Sequence, residues 1–142
     1  MREFVYPAKF TPDKKDGGFV VTFRDLPEAI TQGETVEECL EEAAGALQAA
    51  LEGRIMSGLD IPPASKPKHG EHLIAVPVQT ALKTALYLAM RDLGITRVEL
   101  ARRLRIDEKE ARRMLDPRHP TKADRLEKAL AALGKHAELR VA

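Results

Sequence analysis

The stretch from Thr96 to Leu115 constrains this chain more than any other, because its apolar positions fit two short helices joined by a tight turn. Leu100, Ala101 and Leu104 fall on one helical face, leaving Arg97, Arg102 and Arg103 outside, and Ala111, Met114 and Leu115 make a second inward face. Ala101 stands where the first helix must approach the second closely, a place where a larger side chain would hold the two apart. Ile106 plugs the turn into the core, and Asp107 is placed to cap the second helix by accepting from its first free N–H groups. Arg105 occupies the turn position where such motifs often carry Gly, so it is expected in a left-handed conformation at some cost. The reading is a helix-turn-helix. Its second helix points Glu108, Lys109, Arg112 and Arg113 outward, long polar side chains of the kind that read base edges or hold phosphates in a major groove. Arg97, on the first helix, joins them as a DNA-contact candidate. A helical hairpin with an ordinary solvated basic surface is the plainer alternative.

Net charge decides little by itself, since the 142 residues sum to +1, but its distribution matters. Residues 1–70 hold 8 Lys/Arg against 12 Asp/Glu, a net −4, while residues 71–142 hold 15 against 10, a net +5. An acidic module facing one partner and a basic module facing a polyanion is the arrangement this implies. With 44% apolar residues there is enough to build a core. No apolar run approaches the roughly 20 residues that span a bilayer, and Met1-Arg2-Glu3-Phe4 lacks the apolar stretch of a signal peptide, so a cytoplasmic protein with no membrane partner is expected. The single cysteine, Cys39, sits within a helical pattern as a small, partly buried residue.

In the acidic module, Phe4, Tyr6, Ala8 and Phe10 alternate with more polar or restricted neighbours, which predicts a half-buried strand, and Pro7 argues for an edge position. Turn formers from Thr11 to Gly18 lead to Phe19–Phe23 as the returning strand of a hairpin, and Ala29–Gln32 is a third strand broken by Gly33. Thr35 and Glu38 have the spacing of a capping box, opening a helix whose apolar face is Val36, Leu40, Ala43, Ala44, Leu47, Leu51 and Ile55. Gly58 is placed to end it. These elements define a first domain over residues 1–58. Residues 59–71 carry too much Pro and Gly for a regular element and read as a linker.

The second domain, residues 72–142, opens with a short apolar strand, His72–Pro77, and closes with another, Ala137–Val141. Between them Ala81, Leu82, Ala85, Leu86, Ala89 and Leu93 form one helix face, the helix-turn-helix follows, and Leu126, Ala129, Leu130 and Leu133 line a last helix. Thr121 is expected to cap that helix, leaving its N-terminal N–H groups with Arg118 and Lys122 to meet a phosphate; a cap without phosphate is the alternative. A two-stranded ribbon is marginal alone, so strands 72–77 and 137–141 are expected to pair with those of a second chain, giving a homodimer. The predicted class is α+β: a small antiparallel sheet with one covering helix, a linker, and a helix-turn-helix domain flanked by two short strands.

Catalysis finds no support. Two-metal hydrolysis of nucleic acid needs carboxylates converging from rigid strands, and Asp13, Asp16, Asp25 and Glu28 all fall in turns. His69 and His72 have no Cys and no further His nearby to complete a zinc site. Ser57 and Ser65 lack an adjacent base, and no Gly-rich phosphate loop occurs. No enzyme activity and no cofactor are expected.

The order of these elements, and above all the run from Val20 through Leu26-Pro27-Glu28 and Gly33-Glu34-Thr35 to Glu38, resembles the HicB antitoxin family over nearly the whole chain. The closing Ala132-Leu133-Gly134 fits that family's helix-turn-helix branch; other members carry a ribbon-helix-helix instead. The resemblance implies that the first domain has a reduced ribonuclease-H-like fold and neutralises a small HicA-type messenger-RNA endonuclease. It also implies that the second domain represses the chain's own operon by binding operator DNA, in cytoplasmic dimers that assemble further, up to a dimer of dimers. A toxin of that kind must present a basic surface to RNA, which suits an acidic first domain. The turn Asp25-Leu26-Pro27-Glu28, stiffened by Pro27, is the candidate contact, with Asp25 and Glu28 flanking Leu26. A repressor whose first domain senses a small molecule is the competing function.

Overall fold

A computed structural model describes residues 1–142, which form two compact units, Met1–Pro77 and Val78–Ala142. The first contains strands β1 (Val5–Pro12), β2 (Phe19–Thr22) and β3 (Ile30–Gly33), helix α1 (Val36–Met56) and strand β4 (His72–Ala75). They make an antiparallel sheet in the order β3-β2-β1-β4. The hairpin between β1 and β2 forms where the turn residues dictate: the Asp13 carboxylate accepts from the N–H groups of Lys15 and Asp16. Gly18 is required there twice over, by its φ of +69° and because a Cβ would lie 2.5 Å from the Gly33 carbonyl oxygen on β3.

Helix α1 begins as its sequence predicts, with the Thr35 hydroxyl accepting from the Glu38 N–H at 3.1 Å. Its buried face is Cys39, Ala43, Leu47, Ala50, Leu51 and Ile55, packed on the sheet over Tyr6, Ala8, Val21 and Ile74. The face is rotated from the expected one: Val36 and Leu40 are exposed, and Cys39 takes the inward place. Gly33 explains why, since a Cβ on it would come within 2.9 Å of the Cys39 sulfur; only glycine lets the first turn of α1 sit this close to β3.

Two expectations are overturned here. The strand at residues 72–77 does not open the second unit or join a ribbon with residues 137–141. It is β4, paired with β1 from Val5↔Ala75 to Ala8↔His72, and residues 135–142 have no regular structure, with Leu139 and Val141 exposed. The reason is that β1 offers two half-length edges: β2 pairs only with Lys9–Pro12, and β4 takes the other half. Pro7 therefore lies in a central strand, yet in the half that faces no β2 residue.

The segment expected to be a linker is likewise part of the first unit. Residues 59–71 have almost no regular structure but are fastened along their length: Ile61 is buried, Tyr6 donates to the Pro62 carbonyl at 2.7 Å, and Arg2 donates to the Ile61 carbonyl at 2.6 Å. Ser65 donates to the Asp25 carboxylate from both its N–H and its hydroxyl, and Arg24 holds the Glu71 carboxylate at 3.0 Å. Proline prevents ladder pairing but not side-chain tethering, so this segment is a strap and not a free tether.

The second unit is four helices, α2 (Val78–Leu93), α3 (Arg97–Leu104), α4 (Glu108–Leu115) and α5 (Ala123–Ala132). Their common core is Leu86, Ala89, Met90, Leu100, Met114, Leu126, Ala129, Leu130 and Leu133, close to the set the helical spacing selects. No helix of the protein is long and apolar enough to cross a membrane.

Candidate nucleic-acid interface

Helices α3 and α4 stand as the sequence places them. Thr96 caps α3 by accepting from the Glu99 N–H, and Asp107 caps α4 by accepting from the Glu110 N–H at 2.7 Å. Between them Arg105 is the sole non-glycine residue with positive φ, at φ 55° and ψ 45°, so the left-handed turn forms without glycine. Ala101 and Ala111 are buried and let the helices close, while Ile106 is half-buried against the core. Three residues, Arg105, Ile106 and Asp107, connect the helix ends, so the start of α4 is set by the end of α3.

The outward side of this pair carries the charge. Unit two as a whole holds 15 Lys/Arg against 9 Asp/Glu. Lys109, Arg112 and Arg113 are exposed on α4, and Arg118 and Lys122 are exposed on the segment after it. Arg97 faces Glu108 across the motif at 3.5 Å, both half-exposed, a loose pair that a phosphate could displace at a cost of about 0–1 kcal/mol. Arg102 and Arg103 both bind Glu99, and their guanidinium groups hold its carboxyl below the usual carboxylate range, so these two cations are committed within α3.

Lys109, Arg113, Thr121 and Lys122 converge on a cavity of about 460 Å³ between α4 and the start of α5, together with His119 and Arg125. The last two were not legible as site residues. Arg125 pairs with Glu110 across the helices, a contact between residues fifteen apart that no helical spacing encodes. Thr121 departs from expectation. The N-cap of α5 is Lys122, with no side-chain bond, while Thr121 donates its N–H to Gln79 at 2.7 Å and its hydroxyl accepts from Lys83. Thr121 is thus turned toward α2, and the first turn of α5 is left uncapped.

Lys83 of α2, which helical spacing does not single out, is 2% exposed. Its ammonium donates to the carbonyls of Arg113 at 3.1 Å and Met114 at 2.7 Å, the end of α4, as well as to Thr121 at 2.7 Å. Burial pulls its pKa down to about 8, against the Asp116 carboxylate, which favours the charged form.

In the first unit, the turn proposed as a contact is built inward. Leu26 is fully buried, Asp25 is taken up by Ser65, and Glu28 is bound by Arg54 at 2.6 Å, whose guanidinium holds it below the usual carboxylate range. The reading of Asp25, Leu26 and Glu28 as a contact, two carboxylates on either side of an apolar leucine, is therefore corrected: of the three, Glu28 alone keeps a side chain substantially open, at 44%. The displayed acids are on α1, where Glu37, Glu38, Glu41 and Glu42 are all exposed. No group of three or more His, Cys, Asp or Glu could hold a metal ion.

Comparison with known proteins adds a family to this geometry. Residues 5–85 match a family described as HicB_like antitoxin of bacterial toxin-antitoxin system. The chain is 40% identical over 134 residues to Antitoxin HicB of Escherichia coli strain K12, covering 94% of this chain and 96% of that protein. It is 37% identical to Antitoxin HicB 1 of Photorhabdus laumondii, covering 96% and 86%, and 29% identical to Antitoxin HicB of Pseudomonas fluorescens, covering 90% and 88%.

Proposed function

The chain belongs to the HicB-like antitoxins of bacterial toxin–antitoxin systems, proteins that are not enzymes, and we propose that it neutralises a HicA-type messenger-RNA endonuclease with its first unit and represses its own operon with its second. Both acts take place in the cytoplasm. The single observation that carries the DNA half is the α3–α4 pair: a three-residue turn with Arg105 left-handed, two side-chain caps, and a second helix whose outer face is Lys109, Arg112 and Arg113. In this reading α4 enters the major groove, and Glu108, Lys109, Arg112 and Arg113 meet base edges and phosphates. Arg97, Arg118 and Lys122 grip the backbone on either side, the last beside the uncapped N–H groups of α5. Thr121 serves the site from behind.

For the toxin half, a ribonuclease surface built to hold RNA is basic, and residues 1–77 supply the opposite field with 8 Lys/Arg against 13 Asp/Glu. The acids of α1 supply much of it, and Glu28 is the member of the Asp25–Glu28 turn left to contribute. A dimer remains the form in which two α4 helices would meet an inverted repeat, with half-sites about 10 bp apart or a multiple of that. Its contact is not the strand ribbon, which does not form. Arg112→Ala with Arg113→Ala is the direct test of the recognition helix. A mobility shift on promoter DNA should weaken by about 1–3 kcal/mol per lost base contact, and toxin inhibition should survive. Undiminished promoter binding at physiological salt would remove α4 from this role.

A further inference from the structure

A lysine in a helical core is costly, since an ammonium removed from water must recover its hydration from fixed partners. Lys83 recovers it from three acceptors on two elements. The carbonyls at the end of a helix have no intrahelical partner and carry the negative end of its dipole, so a cation is favoured there. That is where the Lys83 ammonium sits, on the Arg113 and Met114 carbonyls of α4. One turn earlier on α2, Gln79 accepts the Thr121 N–H, so Gln79 and Lys83 together bind both the end of α4 and the segment leading to α5. Thr84 and Thr80, also buried, continue this polar seam along α2 with a hydroxyl-to-carbonyl bond at 2.7 Å.

Helix α4 has only eight residues. Its start is fixed by the Asp107 cap and the turn at Arg105; at its end Met114 is buried in the core, and the polar hold on the last turn comes from Lys83. We propose that Lys83 is the positioning residue of the DNA-binding surface: its ammonium ties the C-terminal end of α4 and Thr121 to α2, so that Arg112, Arg113 and Lys122 reach the duplex in one fixed arrangement. This rests on α4 being the recognition helix. Lys83 is buried and meets no DNA itself, so it acts on selectivity. Attraction to phosphates depends on surface charge and tolerates a swinging helix, whereas bidentate contacts to base edges do not.

The full-length protein with Lys83→Met, a chain of similar length without the charge, tests this. Binding to the duplex spanning its own promoter and to an unrelated duplex of equal length is measured by mobility shift, with thermal melting as the check on folding. The promoter duplex should lose about tenfold or more in affinity, the scale of one lost base contact, while the unrelated duplex changes by less than about threefold. A pH series adds a signature that simple destabilisation would not give. The charge that favours the ammonium is Asp116, just past the end of α4, and Arg118, His119 and Lys122 are the charged or titratable groups of the segment 117–122 that leads to α5. Selectivity of the parent should therefore fall as pH rises through about 8, and that of Lys83→Met should stay flat over the same range. Should Lys83→Met fail to fold, Thr121→Val keeps both carbonyl bonds and should still lose selectivity, with Thr121→Ser restoring it. A folded Lys83→Met with the parent's selectivity overturns the role of Lys83 alone. A parent that does not distinguish the two duplexes overturns the recognition-helix reading, and this inference with it.

Discussion

Arg105 is the residue at which this motif is least comfortable. A left-handed conformation brings the Cβ of an L-residue too close to the following carbonyl, a strain of roughly 1–2 kcal/mol that glycine avoids. The strain is tolerated because both flanking helices are capped and pinned, by Thr96 on one side and Asp107 on the other. Arg105→Gly should accordingly raise the unfolding free energy by about 1 kcal/mol, less whatever extra freedom glycine gives the unfolded chain. Urea denaturation of the two proteins measures it, and a variant less stable than the parent would mean that the arginine side chain contributes more than the turn costs. The position itself was legible, because a tight turn between two amphipathic helices admits one backbone solution. Lys83 was not legible: a single charged residue within an apolar helical pattern does not announce a carbonyl pair thirty residues away.

At the scale of elements, periodicity located nearly every helix and strand, and failed where partners are distant in sequence. The run Leu73–Val76 says strand, but nothing in it says which strand it joins; β1, more than sixty residues earlier, had an unclaimed half. The strap was read as a linker for a related reason. Pro and Gly exclude regular structure, and that exclusion was mistaken for independence, whereas Ser65, Lys66 and Glu71 are held by Asp25 and Arg24. The Arg24 guanidinium, with the Lys68 N–H, brings the Glu71 carboxyl down to about 2. A carboxylate whose folded value is depressed adds stability that is complete above its unfolded value near 4.5 and is lost as pH falls toward 2. Glu71→Gln should therefore flatten the acid limb of the first unit's stability between those values while changing little at the lowest pH. Circular dichroism melts across that range report it; an unchanged acid limb would show that the Arg24–Glu71 clasp is open in solution.

For the whole molecule, opposite charges are sorted into the two units, 8 Lys/Arg against 13 Asp/Glu before Val78 and 15 against 9 after it. Such sorting suits the two proposed partners, a basic ribonuclease and a polyanionic duplex, each of which would be attracted by one half and repelled by the other. The boundary matters to any test of this division. A fragment ending at Gly58 lacks the buried Ile61, the strap and β4, so it leaves half of β1 unpaired and should not fold. A fragment of residues 1–77 keeps the complete sheet, α1 and the strap, and residues 78–142 keep all four helices of the second core. Toxin cleavage of RNA, measured with each fragment added, should be inhibited by 1–77 and unaffected by 78–142, while promoter binding should follow 78–142 alone. Inhibition should also weaken as salt rises, most steeply below about 0.1 M, because attraction between exposed charges is screened within a Debye length of about 10 Å there. Inhibition by 78–142 without inhibition by 1–77 would reverse the assignment of roles, and inhibition insensitive to salt would take the α1 acids out of the encounter.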